Sequence, residues 1–259
     1  MPRLAANLSM LFTELPFLER FGAAARAGFR AVEYQFPYAF GSAAEVAQAA
    51  QDAGVRVVLH NMPAGDASKG DRGLGCLPDR RSEFRDGVAR AVEYARAAGC
   101  TRLNCLAGVA PRDAVHCDTL VENVRIAASA LDAAGMQLMI EPINVRTVPG
   151  FFLTGTAQAI GVLDAAGAAN AFVQYDLFHM QIMEGDLAKT IERLLPRIGH
   201  MQLADVPGRH EPGSGEINYP WLLAEVDRLG YAGWIGCEYN PQADTLSGLE
   251  WAKPYLTNA

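Results

Sequence analysis

The chain has little of what several function classes require. It carries only five histidines and five cysteines in 259 residues, and the cysteines (Cys76, Cys100, Cys105, Cys117 and Cys237) form no C-x-x-C pair. Their odd number excludes a fully paired disulfide framework, and Cys105 and Cys237 lie inside apolar runs, a common setting for free buried thiols. A reducing, cytoplasmic setting is expected. No stretch approaches the ~20 apolar residues that cross a bilayer, so no membrane partner is expected. The N-terminal apolar segment is short and runs into an acidic, helix-forming stretch at Glu14, which reads as a first strand rather than a signal peptide. Cationic side chains are also scarce: 22 Lys and Arg against 29 Asp and Glu leave a net charge of −7. That balance excludes nucleic acid from the expected partners, because phosphate binding needs a basic surplus. Five scattered histidines give no basis for a histidine-rich zinc cluster. A small anionic substrate held by one or two arginines remains compatible.

What is present is a regular alternation. The length matches the ~250 residues of one (β/α)8 barrel, and half the residues are hydrophobic. Strand-like runs at 3–10, 31–36, 56–60, 102–106, 137–141, 172–176, 199–204 and 234–238 precede helix-like segments at 16–27, 42–53, 80–98, 118–134, 154–167, 186–195, 219–229 and 246–255. Ser42 with Glu45 forms a capping-box pattern, and Gly28, Gly54, Gly99, Gly135 and Gly167 punctuate helix ends. Strands alternating with helices indicate parallel crossovers, and near-continuous apolar strands are buried on both faces. An open doubly wound sheet would look similar, but eight units favour one closed α/β barrel. No linker or charge block marks a boundary, so residues 1–259 are expected to form a single (β/α)8 domain.

The chemistry concentrates at the C-terminal ends of the last four strand-like runs. Glu141, Asp176 and Glu238 each end one, and Gln202 lies in the run between the last two. Singly, a carboxylate in such a place is often the N-cap of the following helix or half of a surface ion pair. Together, in a barrel, the four converge on one face. Three converging carboxylates repel unless one binds a proton or a cation intervenes. An all-oxygen donor set that includes the Gln202 amide favours Mg2+ or Mn2+ over zinc. His179 follows Asp176 as D-x-x-H and is expected to contact substrate or to support a ligand from behind. His60 ends the third strand-like run and carries a weaker version of the same argument. The loop 205–218 would place Arg209 over the site, where its forked guanidinium can hold a carboxylate, with Glu216 orienting a ligand. The glycine-rich loop 65–75 is a lid candidate and offers Arg72 as a second anion contact.

These motifs resemble the hydroxypyruvate isomerase family, within the sugar isomerase and epimerase barrels related to endonuclease IV. The segments carrying the resemblance are Gly65-Asp66 with Gly70-Asp-Arg-Gly73, Gln174-Tyr-Asp-Leu-Phe-His179, His200-Met-Gln-Leu-Ala204, Pro207-Gly-Arg-His-Glu-Pro212, Gly215-Glu-Ile-Asn-Tyr-Pro-Trp221 and Gly233-Trp-Ile-Gly-Cys-Glu-Tyr239. The resemblance implies a (β/α)8 barrel that interconverts hydroxypyruvate and tartronate semialdehyde through an enediolate. It implies Glu141 and Glu238 as the acid/base pair, and Glu141, Asp176, Gln202 and Glu238 as the metal site. Two positions depart from relatives: a histidine stands at Gln202 in ketose epimerases, and some family members carry a basic residue at Asn240. Rival readings are a 2-oxo-tetronate isomerase or ketose 3-epimerase on the same machinery, a metal-dependent endonuclease, and a non-catalytic sugar-acid binding protein. The sequence leaves a homo-oligomer open.

Overall fold

The strands are short and almost wholly buried, as apolar runs must be when both faces meet side chains. A computed structural model describes residues 1–256. Its strands are β1 (Arg3–Asn7), β2 (Ala31–Tyr34), β3 (Arg56–Asn61), β4 (Arg102–Cys105), β5 (Gln137–Ile140), β6 (Ala171–Asp176), β7 (Ile198–Leu203) and β8 (Trp234–Cys237). Each pairs in parallel with its chain neighbour. Strand β8 returns to β1, with Arg3 opposite Trp234 and Ala6 opposite Cys237, and closes the barrel. The open-sheet alternative is thereby removed.

The helices are α1 (Phe17–Arg26), α2 (Ala43–Ala53), α3 (Arg81–Ala98), α4 (Ala114–Asp132), α5 (Thr156–Ala166), α6 (Leu177–Met183), α7 (Leu187–Leu194), α8 (Tyr219–Arg228) and α9 (Lys253–Leu256). The capping box at α2 forms as expected: the Ser42 hydroxyl accepts the Glu45 N–H, and Glu45 accepts the Ser42 N–H at 2.7 Å. Helix α4 begins four residues before the expected start, because the Asp113 carboxylate accepts the His116 N–H and caps it there. The segment expected as a last helix over 246–255 is a 3-10 stretch, Ser247–Ala252, followed by one short α turn. Helix α6 has no counterpart in the sequence reading. It begins directly at the end of β6, with no intervening turn residues to announce it.

One large buried cluster joins Phe21, Val88, Leu131 and Leu163 of the helices to Leu4, Leu103 and Leu138 of the strands. The barrel interior is different. Residues two apart along a strand share a face, so Ala5 and Asn7 of β1, and Ala31 and Glu33 of β2, point the same way. Ala5 and Ala31 belong to a small separate apolar cluster. Asn7 and Glu33 sit one step nearer the C-terminal end, in a polar layer. Glu33 is fully buried and accepts hydrogen bonds from Asn7 Nδ2 at 2.9 Å and Gln202 Nε2 at 2.8 Å, with His200 Nε2 at 2.6 Å from its other oxygen. The bonds to β7 cross the barrel, because β1 and β8 lie between β2 and β7. Gly236 of β8 makes the crossing possible: a Cβ there would fall within the Glu33 carboxylate.

Candidate active site

The polar layer supports the carboxylates above it. Asn7 Nδ2 reaches upward to Glu238 Oε1 at 3.1 Å, and Gln35 Nε2 donates to the same oxygen at 3.0 Å. The other oxygen, Oε2, accepts from Arg209 Nη2 at 2.7 Å. Across the mouth, Asn104 Nδ2 donates to Glu141 Oε2 at 2.8 Å. Asp176 uses its two oxygens differently. Oδ1 accepts the Phe178 N–H at 2.8 Å and caps α6. Oδ2 is buried and has no hydrogen-bond partner among the described residues, although Arg209 Nη2 stands 3.5 Å away.

His179, on the first turn of α6, completes the cluster: ligand atoms of Glu141, Asp176 and His179 all lie within 4.8 Å of one another. Its tautomer follows from its neighbours. Asn144 Oδ1 accepts from the N–H groups of Arg146 and Thr147 and from the Thr147 hydroxyl, which fixes the amide and leaves Nδ2 as a donor. Nδ2 lies 2.6 Å from His179 Nδ1. Nδ1 must therefore accept, and in the neutral ring the proton sits on Nε2, which faces Asp176 Oδ2 at 3.4 Å and Glu141 Oε1 at 3.9 Å. Burial, and then the Arg209 charge, hold this imidazole well below its usual pKa, so it stays neutral. His179 thus presents an N–H to the site. It is better suited to donate to an oxygen than to ligate a metal.

Burial also shifts the acids. Glu141 lies well above the carboxylate range, first through desolvation and then through the charges of Glu238 and Asp176. Asp176 is pushed up to about 7 by burial, against the pull of Arg209. Burial raises Glu238 as well, again opposed by Arg209. Such a set favours either a retained proton or a cation. The orphaned Asp176 oxygen beside a second carboxylate is what a divalent cation would satisfy, so the residues present fit one.

The long β7–α8 loop delivers Arg209. Buried Asp205 organises it, its two oxygens accepting the N–H groups of Val206, Gly213, Gly215 and Ile217 at 2.9–3.0 Å. Arg209 itself adopts φ +56°, a left-handed conformation that costs a residue with a Cβ of order 1 kcal/mol. Strain of this kind persists where the surroundings demand it, and here the guanidinium lies between Glu238 and Asp176.

Glu141, Glu238, His179 and Arg209 line one cavity of about 650 Å3, together with Arg72 on the opposite rim. The loop expected as a lid supplies that rim through Gly65, Ala67, Asp71 and Arg72. It is tied down, since the Asp71 carboxylate accepts the Asp66 N–H at 2.7 Å and pairs with Arg80 at 3.1 Å. Two further expected residues do not line the cavity itself. Gln202 is held inside the polar layer, its Nε2 on Glu33 and its Oε1 accepting from Gln174 at 2.6 Å. Glu216 is exposed and accepts from Gln181 at 3.3 Å.

His60 does not line the cavity. Strand β3 runs one residue further than expected, to Asn61, and Asn61 faces the cavity. Alternation then turns His60 to the opposite side, where it stacks on Tyr34 at 5.6 Å. Burial holds its pKa at about 4. An unfolded chain binds that proton near pH 6.5, so the fold should lose stability as pH falls from about 6.5 towards 4, on the order of 3 kcal/mol. Thermal unfolding against pH is expected to show a steeper loss in the wild type than in His60→Gln, where buried His179 still contributes a slope of the same sign. Parallel curves would exclude it.

Asn7, Glu33, Gln35, Asn104, Asn144 and Asp205 were missed as site residues in the sequence. A signal existed for some of them: Glu33 in Ala-Val-Glu-Tyr and Asn104 in Arg-Leu-Asn-Cys are lone polar residues inside buried parallel strands. A position of that kind must have internal partners.

Comparison with known proteins agrees with this architecture. Residues 21–255 match the xylose isomerase-like TIM barrel family, and the chain belongs to it. It is 49% identical to a hydroxypyruvate isomerase of Escherichia coli, over 98% of this chain and all of the relative. It is also 49% identical to a 2-oxo-tetronate isomerase of Cupriavidus necator, over 99% of both chains. A crystal structure from Brucella melitensis, named as an AP endonuclease of family 2, superposes with a TM-score of 0.95 at 44% identity, covering 98% of this chain and 99% of that one. Among the described residues, no helix is long and apolar enough to cross a membrane.

Proposed function

We propose that this protein is an isomerase interconverting hydroxypyruvate and tartronate semialdehyde (2-hydroxy-3-oxopropanoate), with Glu141 and Glu238 transferring the protons. The carrying observation is that these two buried carboxylates line one cavity, with Asp176, His179 and Arg209 around them. One of the pair takes a proton from C3 to form the planar enediolate, and the other returns a proton to C2, while the hydroxyl proton passes from O3 to O2. Two acids in a low-dielectric pocket suit this division, because the charge of one favours the protonated form of the other.

Asn7 and Gln35 hold one Glu238 oxygen, Arg209 holds the other, and Asn104 holds Glu141, so both groups are oriented before substrate arrives. The His179 Nε2–H and Arg209 are placed to contact substrate oxygens. A divalent cation, Mg2+ or Mn2+, would be held by Asp176 and Glu141, with Glu238 and the Gln202 oxygen as the further donors proposed. When bound, it would supply Lewis-acid stabilisation of the oxyanion. The names of the relatives support this reading, as does the donor set.

A 2-oxo-tetronate substrate is the second reading. The Cupriavidus relative carries that name, and a cavity of about 650 Å3 lies in the range that encloses ligands much larger than a three-carbon acid. A cytosolic enzyme without a nucleic-acid partner is also proposed, on the net charge of −7 and five free cysteines. Hydroxypyruvate, 2-oxo-tetronates and free ketoses assayed side by side would decide the substrate. EDTA is expected to abolish turnover and added Mg2+ or Mn2+ to restore it. Full activity in EDTA would remove the metal, and no turnover of either oxo acid with metal present would remove the isomerase.

A further inference from the structure

We propose that Arg90, together with Arg72, forms an anion subsite at the mouth of the cavity that holds the substrate's carboxylate. On this view Arg209 serves the catalytic carboxylates instead. The inference deepens the oxo-acid isomerase reading and rests on it for the identity of the ligand.

The distribution of charge carries it. At the floor, Arg209 is already matched by Glu238 at 2.7 Å and Asp176 at 3.5 Å, and Glu141 adds a third carboxylate. Even with a divalent cation bound, Arg209 and the ion would only balance the three carboxylates, which leaves no spare positive charge for an incoming one. The rim is the reverse. Arg72 donates to the carbonyls of Asp71 at 2.7 Å and Ala67 at 3.4 Å, and Arg90 donates to Tyr38 O at 3.1 Å. Neither forms an ion pair among the described residues. The two acidic side chains of that loop are already paired, Asp71 with Arg80 and Asp66 with Lys69.

Arg90 is also preorganised. Its Cζ lies 5.0 Å from the Tyr38 ring centre and 6.0 Å from that of Tyr94. Those rings meet edge to face at 5.0 Å. Both hydroxyls are tied to backbone carbonyls, Tyr38 to Asn61 and Tyr94 to Gly41. A guanidinium laid on fixed aromatic rings loses little freedom on binding and keeps its charge available to an anion. Arg72 and Arg90 are exposed while Glu141 and Glu238 are buried. The substrate therefore enters with its C3 hydroxymethyl end towards the acids and its carboxylate towards solvent. The class of ligand is a short 2-oxo acid; neutral ketoses lack the group this subsite takes.

The test compares hydroxypyruvate with dihydroxyacetone, its neutral counterpart, in the metal-loaded wild type and in Arg90→Gln and Arg72→Gln, all checked for an unchanged melting temperature. Arg90→Gln is expected to raise KM for hydroxypyruvate about tenfold or more, with kcat within about twofold and KM for dihydroxyacetone unchanged. Arg72→Gln should act in the same direction. An unchanged KM in both variants, or an equal rise for the neutral ketose, overturns the subsite. Malonate binding by calorimetry separates this from the isomerase reading. If the wild type turns over neither compound yet binds malonate more tightly than Arg90→Gln, the subsite stands and the isomerase falls. Equal malonate affinity in wild type and variant removes the subsite.

Discussion

Glu238→Gln is expected to lower kcat by about 10²–10⁴-fold, the usual contribution of a positioned acid or base, while the protein unfolds at the same temperature or slightly higher. The substitution keeps the shape and an oxygen that can accept from Asn7 and Gln35, so the site should stay assembled. It removes a charge that burial disfavours, which offsets the lost ion pair to Arg209, still 3.5 Å from Asp176. This opposition of activity and stability is common where a site concentrates like charge. The direct readout is incorporation of solvent deuterium into substrate, followed by proton NMR. Exchange at a near-normal rate would take Glu238 out of the proton path, whatever happened to net turnover.

Glu33→Ala should have the largest effect on stability. Three buried side chains, Asn7, His200 and Gln202, direct hydrogen bonds at this one carboxylate. Its removal leaves them without an acceptor in the interior of the barrel, where water cannot easily substitute. Each buried polar group left unsatisfied costs about 1–3 kcal/mol, so the loss is expected to reach about 3–5 kcal/mol in total. Because Asn7 also donates to Glu238, activity is expected to fall as well, although Glu33 does not line the cavity. Urea unfolding gives the first quantity. A loss below about 1 kcal/mol would mean that the polar layer is not the support described here.

Asp176 shows how far the sequence could be read. An acid at a strand end has an ordinary role as a helix cap and a functional one as a ligand. In the fold both hold, one per oxygen: Oδ1 caps α6 and Oδ2 faces the cluster. His60 shows the opposite outcome. His60 pairs beside Tyr34 and shares its outer face, while the next residue, Asn61, lies on the inner face and lines the cavity. Both faces of a parallel-barrel strand are buried, so apolar pattern alone does not say which of two neighbouring polar residues faces the interior.

The alternation of apolar strands with capped helices was enough to determine eight crossover units, since hydrophobic period and helix caps are local properties of the chain. The convergence of Glu141, Asp176 and Glu238 followed as well, because any parallel barrel gathers its strand ends on one face. Tertiary structure alone decided that the barrel closes, that Glu33 is gripped from across its interior, and that Arg209 is already spent on the acids while Arg90 is not. Those facts depend on which side chains meet at hydrogen-bond range across distant segments. Pairings of that kind have no period and no fixed spacing along the chain.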